Sequence, residues 1–226
     1  MVHTRFPSNY GKIIKLFNEI LNCKKPCRTV SLAGWLYPFD VRTVDILIAG
    51  ESPDFKRMKQ SLDRIGKFVS KYNWDPVWDF VLPSQKRDFL VLDLHTYIRK
   101  YFDSYYMTDV VKCCLKSTEE ARKEEELREK WKNCKMFFIK ELEIFNPKIV
   151  AIIHSSAWKL VLNEFNLKIE KPIKVRGEEI KVAKDDKGRI WAYIKHYGYF
   201  LKKRWEATDI IGYYDEAFKK LSAMPK

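Results

Sequence analysis

Several short stretches of this chain place reactive side chains where apolar, β-branched runs come to an end. Gly50-Glu51-Ser52-Pro53-Asp54 follows the run Val44 to Ala49. A glycine there permits close backbone approach to a ligand, and a proline stiffens the turn. Glu51 then sets a carboxylate where it could orient water or stabilise a cation. The competing reading is an ordinary strand-to-helix turn, with Ser52 or Asp54 as its cap. Asp109 lies within Tyr105 to Lys112, near the interior unless it faces solvent or caps a helix. His154 opens the segment after Ile149 to Ile153, and His196 closes the run from Ile190. A lone histidine is commonly a surface or satisfied core residue, so position at a strand end is what makes His196 a candidate.

Five cysteines add a second kind of chemistry. Cys23 and Cys27 form a close pair with three residues between them, on a loop after a helix. Cys113 or Cys114 ends a strand, and Cys134 lies on the following helix. Four thiolates from three places can close around an iron–sulfur cluster or a metal ion. Zinc sites favour two short-spaced pairs, and only one is present here. Scattered core cysteines are the alternative.

The elements that must position these groups follow from periodicity. Tyr10 to Asn22 carries a helical apolar stripe, and Val44 to Ala49 reads as a buried parallel strand. Phe55 to Tyr72 is expected to be a helix and Asn73 to Gln85 an aromatic loop. Tyr105 to Lys112 reads as a second strand. A long charged helix follows from Thr118 to Phe145, stopped by Asn146-Pro147. Its run Glu119 to Lys132 interleaves both signs at helical spacing, as a solvated face does. Ile149 to Ile153 and Ile190 to Lys195 complete the strands, with helices at Ser155 to Phe165 and Asp209 to Leu221. Ile180 to Ala183 reads as a short edge strand or hairpin arm. Alternating strands and helices predict an α/β fold, a three-layer α/β/α sandwich around a four-stranded, mainly parallel sheet. In such sheets, ligands bind at the carboxyl ends of the strands. Those ends are Gly50, Asp109, His154 and His196.

At 226 residues, the chain fits a single domain spanning 1–226. Its 43 Lys+Arg against 30 Asp+Glu leave a net charge of +13, and a surplus of that sign favours a polyanion, nucleic acid above all. A Lys/Glu-rich thermophile surface explains the abundance of charge but not its sign. The sequence has no apolar run long enough to span a membrane and no secretory signal, so a cytoplasmic location with the genome is expected. An odd number of cysteines without a signal argues against a disulfide framework.

Taken in order, these segments resemble the uracil-DNA glycosylase superfamily, in its four-cysteine iron–sulfur branch. Cys23, Cys27 and Arg28 are similar to the branch's opening cysteine pair. Gly50-Glu51-Ser52-Pro53-Asp54 resembles its Gly-Glu-Ala-Pro-Gly. Tyr106-Met107-Thr108-Asp109-Val110-Val111-Lys112-Cys113 differs at two positions from its Tyr-Ile-Thr-Asn-Val-Val-Lys-Cys. Cys134, Leu142 and Pro147-Lys148-Ile149-Val150 follow in the family's order, and His196 matches the histidine of its His-Pro-Ser. The resemblance spans about residues 20 to 220. It implies a monomeric enzyme that flips an aberrant base out of DNA and hydrolyses its bond to the sugar.

The same resemblance implies the roles. Glu51 positions water or stabilises the sugar cation, and His196 stabilises the departing base. Asp109, with Gly50 and Phe55, borders the base. Ser52, Pro53, Lys202, Lys203 and Arg204 meet the DNA backbone. Cys23, Cys27, Cys113 and Cys134 hold a [4Fe–4S] cluster, Cys113 being chosen over Cys114 because it follows Lys112. Zinc is the alternative occupant.

Four departures from the family stand out. Asp54 replaces a glycine, and His-Tyr-Gly replaces His-Pro-Ser. The aromatic that stacks on the flipped base is unrecognisable, leaving Phe55, Trp74, Trp78 and Phe80 as candidates. Asp109 stands where the family has asparagine. Asparagine both donates to uracil O4 and accepts from N3–H, whereas an ionised aspartate only accepts. Such a group suits an amino group on cytosine or adenine; with its pKa raised by burial it donates again. These departures also admit a DNA-binding relative that has lost catalysis. A zinc-bound nucleic-acid module fits only the charge and the cysteines.

Overall fold

In a computed structural model of the protein, the described residues are 10–25, 35–37, 43–52, 97–113, 115 and 120–224. They contain seven strands in one sheet: β1 (Trp35–Tyr37), β2 (Ile46–Gly50), β3 (Tyr105–Asp109), β4 (Ile149–Ile152), β5 (Lys168–Val175), β6 (Glu178–Lys184) and β7 (Ile190–Tyr193). The spatial order is β1-β3-β2-β4-β7-β6-β5. The helices are α1 (Tyr10–Leu21), α2 (Glu120–Phe145), α3 (Ser155–Glu164), α4 (Tyr197–Lys202) and α5 (Ala207–Ser222), with a further helical stretch at 97–101.

The protein is α/β. Strands β3, β2, β4 and β7 are mutually parallel neighbours, and β1, β6 and β5 extend them by antiparallel pairing. The four-strand expectation therefore describes the parallel centre, while the described sheet has seven strands. The additions escape a periodicity reading for physical reasons. β1 is three residues long. β5 is an exposed edge strand whose Lys168, Glu170, Lys171, Pro172 and Lys174 make no apolar run. Ile180 to Ala183 belongs to β6, a hairpin arm that β5 separates from the edge. The hairpin turns through Arg176 (φ 48°) and Gly177 (φ 78°), two consecutive left-handed residues of the kind that match strand twist.

Side chains on the parallel strands alternate between two cores. Leu47, Ala49, Tyr106, Val150, Ile152 and Trp191 join the core formed with α1, α2 and α3. Ile46, Ile48, Tyr105, Ile149, Ala151, Ile190 and Ala192 face the other, closed by Ile98, Phe102, Phe200 and the α5 residues Ile210, Tyr213 and Phe218. Apolar runs with no polar alternation are what a sheet covered on both faces requires. Helix α2 ends at Phe145, followed by Asn146 in left-handed backbone (φ 39°) and then Pro147.

The predicted strand Tyr105 to Lys112 stops earlier than expected, at Asp109. Beyond it the chain turns, and Lys112 folds back with its ammonium 2.5 Å from Thr108 Oγ1, 2.6 Å from the Asp109 carbonyl and 2.6 Å from Glu141 Oε2. Tyr106 donates to the same Glu141 at 2.7 Å, and Thr108 hydroxyl lies 3.2 Å from it. Lys112 and Glu141 are almost wholly excluded from solvent, with side chains 1% and 0% exposed. Burial pushes the Glu141 carboxyl above its usual range in spite of Lys112 and the hydroxyl donors.

An unpartnered charge in this core is costly. Lys112→Met should lose about 3–5 kcal/mol in urea denaturation, and Lys112→Met/Glu141→Leu should regain most of it. Equal losses in the single and double variants would show that the pair is not coupled.

Candidate active site at the strand ends

The parallel register determines which side chains meet. Gly50 pairs with Asp109, and β4 and β7 run beside them to Ile152 and Tyr193. The residues leaving these four strands are Asp109, Glu51, His154 and His196, in that spatial order. Backbone bonds extend the alignment past the strands: Val110 and Val111 N–H donate to the carbonyls of Gly50 and Glu51, and Ile153 donates to Ala49. These are the four strand ends that the sequence marks, at Gly50, Asp109, His154 and His196.

Gly50 has a spatial reason to be glycine. A Cβ there would lie 2.3 Å from Asp109 Oδ1, so the carboxyl occupies the room that a side chain would take. Asp109 is partly buried, and burial pushes its pKa up to about 6. Glu141 and Glu51 raise it further, while Lys112 and His154 oppose them.

Glu51 is buried, its side chain 6% exposed, and surrounded by donors. Lys123 Nζ approaches Oε1 at 2.7 Å, and His154 Nδ1 approaches Oε2 at 2.6 Å. Ser156 Oγ also donates to Oε2 and lies 3.0 Å from His154 Nδ1. Burial alone would raise this carboxyl; the hydrogen bonds from His154, Lys123 and Ser156 outweigh it and hold the pKa at about 2. Glu51 is therefore an anion at neutral pH, and an acceptor only.

Lys123 corrects one expectation. The run Glu119 to Lys132 is not solely a solvated face, because it sends this lysine into the site and buries Leu127, Lys130 and Trp131. Neither Lys123 nor Ser156 carried a sequence signal, since each is an ordinary helix residue until the fold brings it to Glu51.

His196 precedes α4, and its Nδ1 accepts a hydrogen bond from Gly198 N–H at 3.1 Å. An imidazole that accepts at Nδ1 carries its proton on Nε2, and so donates there while neutral. A Cβ on Gly198 would come 3.1 Å from that same Nδ1, which is why the altered His-Tyr-Gly sequence suits this ring position. His154 and His196 stand 5.5 Å apart between ring centroids, and Tyr197 lies against His196 at 4.0 Å.

The predicted backbone-contacting cations lie at and just beyond the end of α4. Lys202 is exposed in its last turn, and Arg204 is exposed in left-handed backbone (φ 59°). Lys203 is held 2.8 Å from Glu178, which also pairs with Lys195 and Tyr199, so part of its charge is already met. Ser52 is partly buried beside Glu51 in sequence. Cys27, Pro53, Asp54, Phe55, Trp74, Trp78, Phe80 and Cys114 lie outside the described residues.

Cys113 and Cys134, both buried, meet with Sγ atoms 3.8 Å apart. Cys23 is buried after α1, and among the described residues no group of three or more His, Cys, Asp or Glu could hold a metal ion. The pair suits shared ligation. Its spacing matches the edge of a tetrahedron with metal–sulfur bonds of about 2.3 Å, as in zinc sites. In a [4Fe–4S] cluster each thiolate binds its own iron, so the two would have to spread.

No known family profile matches the chain, and no curated protein does. Among solved structures, a domain of unknown function (DUF1537) from Bordetella bronchiseptica is similar at a TM-score of 0.32 and 9% identity, over 75% of this chain. The matched part is 42% of that protein's length, and a likeness so distant carries no argument. Among the described residues, no helix is long and apolar enough to cross a membrane.

The two carboxyls make opposite pH predictions. Asp109, raised from 3.8 to about 6, favours the protonated folded state, so its contribution falls as pH rises across that interval. Glu51, lowered from 4.5 to about 2, contributes above that interval and loses its contribution as pH falls through it. Compared with Asp109→Asn, the unaltered protein should be about 3 kcal/mol less stable at neutral pH than it is at acid pH. Compared with Glu51→Gln, it should gain about the same amount on going from strong acid to neutral pH. Denaturant titrations at several pH values read both differences.

Proposed function

We propose that this protein is a DNA glycosylase that flips an aberrant base from DNA and hydrolyses its N-glycosidic bond. The observation that carries the reading is the placement of Asp109, Glu51 and His196 at the ends of three of the four central parallel strands, β3, β2 and β7, the three residues to which the superfamily resemblance gives base recognition and catalysis. The charge of +13 supplies the non-specific attraction for DNA.

In this reading the flipped base lies against Gly50 and Asp109, with Phe55 bordering the pocket. As the bond to C1′ lengthens, negative charge gathers on the base and positive charge on the sugar. Nε2–H of a neutral His196 donates to the base, and the Glu51 anion stabilises the sugar. Lys202 and Arg204 meet phosphates, with a smaller part for Lys203 because Glu178 already holds it. Cys23, Cys27, Cys113 and Cys134 would hold a [4Fe–4S] cluster, with zinc as the alternative. Such a group would tie the loop after α1 to β3 and α2.

Asp109 governs the choice of base. Above its pKa it only accepts, which favours an exocyclic amino group; below about 6 it donates and tolerates uracil O4. A second reading keeps the DNA binding without the catalysis. It is favoured by the occupied state of Glu51, whose two oxygens are both engaged.

Oligonucleotides bearing uracil, cytosine, hypoxanthine or mismatches separate these readings. Glycosylase activity should fall by roughly 100-fold or more in Glu51→Gln and in His196→Ala. Excision of uracil relative to an amino-bearing base should rise as pH falls through the Asp109 titration, and Asp109→Asn should remove that dependence. Binding without base release would support the second reading. Elemental analysis of the purified protein for iron, sulfide and zinc distinguishes the two metal assignments.

A further inference from the structure

We infer that His154 is the general base of the hydrolytic step and that Glu51 acts by orienting it. The assignment rests on the glycosylase reading and changes which side chain touches the water. Glu51 is 6% exposed and both its oxygens already accept from protein donors, whereas the His154 side chain is 34% exposed. A carboxylate so enclosed has little access to a water molecule. The imidazole beside it does.

The proton arrangement follows from the partners. Glu51 only accepts, so His154 Nδ1 must donate to Oε2 across 2.6 Å. A neutral ring that donates from Nδ1 carries its lone pair on Nε2, across the ring from the carboxylate. That is the tautomer a general base needs, and a buried acid behind a histidine is a recurrent means of selecting it. Ser156 and Lys123 hold the acid in turn, Ser156 on the shared Oε2 and Lys123 on Oε1. His196, 5.5 Å away between centroids, stands close enough to serve the base leaving from the same sugar.

In the step itself, the water oxygen bonds to C1′ while the C1′–N bond breaks and its electron pair departs with the base. The water's proton passes to His154 Nε2. The anionic base is met by His196 Nε2–H, and the proton on His154 returns through solvent to the base. No further reactant is required.

Two substitutions separate a base from a spacer. His154→Asn keeps an N–H donor for Glu51 but has no basic nitrogen, and His154→Ala leaves room for added imidazole. With the full-length protein and the best substrate of the lesion panel, single-turnover base release should fall roughly 100-fold or more in both variants. DNA affinity should change by less than about threefold, since the proton transfer is made only in the transition state. Imidazole should restore part of the rate to the alanine variant and none to the asparagine variant. A His154→Asn protein that keeps the unaltered rate would overturn the assignment while leaving the glycosylase reading intact. Failure of the unaltered protein to release any base would overturn that reading, and the assignment with it.

Discussion

The ammonium of Lys112 has three protons to place, and its three close acceptors are Thr108 Oγ1, the Asp109 carbonyl and Glu141 Oε2. This ties the end of β3 to the last turns of α2 inside the protein, where neither charge meets water. Tyr106 and Thr108 direct their hydroxyls to the same carboxylate. The end of β3 is thereby fixed, and with it Asp109. Parallel pairing carries that position across to Gly50, and the absence of a side chain on Gly50 gives the Asp109 carboxyl its place. A short polar network in the core thus determines the geometry of the edge at which we propose that a ligand binds.

From that edge the site develops by successive hydrogen bonds. Glu51, one residue beyond Gly50, draws Lys123 from α2 and Ser156 from α3, and it fixes His154 between them. His196 is set separately, by the N–H of Gly198 at the start of α4. Two carboxyls a few residues apart in space consequently behave in opposite ways. Glu51 is enclosed by donors and remains ionised, whereas Asp109 has more burial than donors and holds its proton more tightly. Environment, and not residue type, divides their roles.

Much of this was legible in the sequence because it depends on short-range pattern. The runs Val44 to Ala49 and Ile149 to Ile153 announce buried strands, and their ends locate Glu51 and His154. Asn146-Pro147 announces the end of α2. What was not legible depends on contacts distant in the chain. Glu141 reads as one more charged residue of a charged helix until Lys112 is folded against it. Lys123 belongs to a run that reads as a solvated face, Ser156 carries no signal of its own, and β5 is too polar and too exposed to give an apolar signal. The meeting of Cys113 with Cys134 was implied by resemblance to a family, and periodicity alone could not have paired them.

Cleavage of a glycosidic bond by the strand-end residues, which we propose, leaves two products that can be measured together. Incubation with lesion-bearing oligonucleotides, followed by mass analysis of the released small molecule and alkaline cleavage of the strand, looks for both halves of the reaction. The expected result is a free base together with an abasic site, in equal amounts. Bound DNA from which no base is released, across every lesion and from acid to neutral pH, would contradict it.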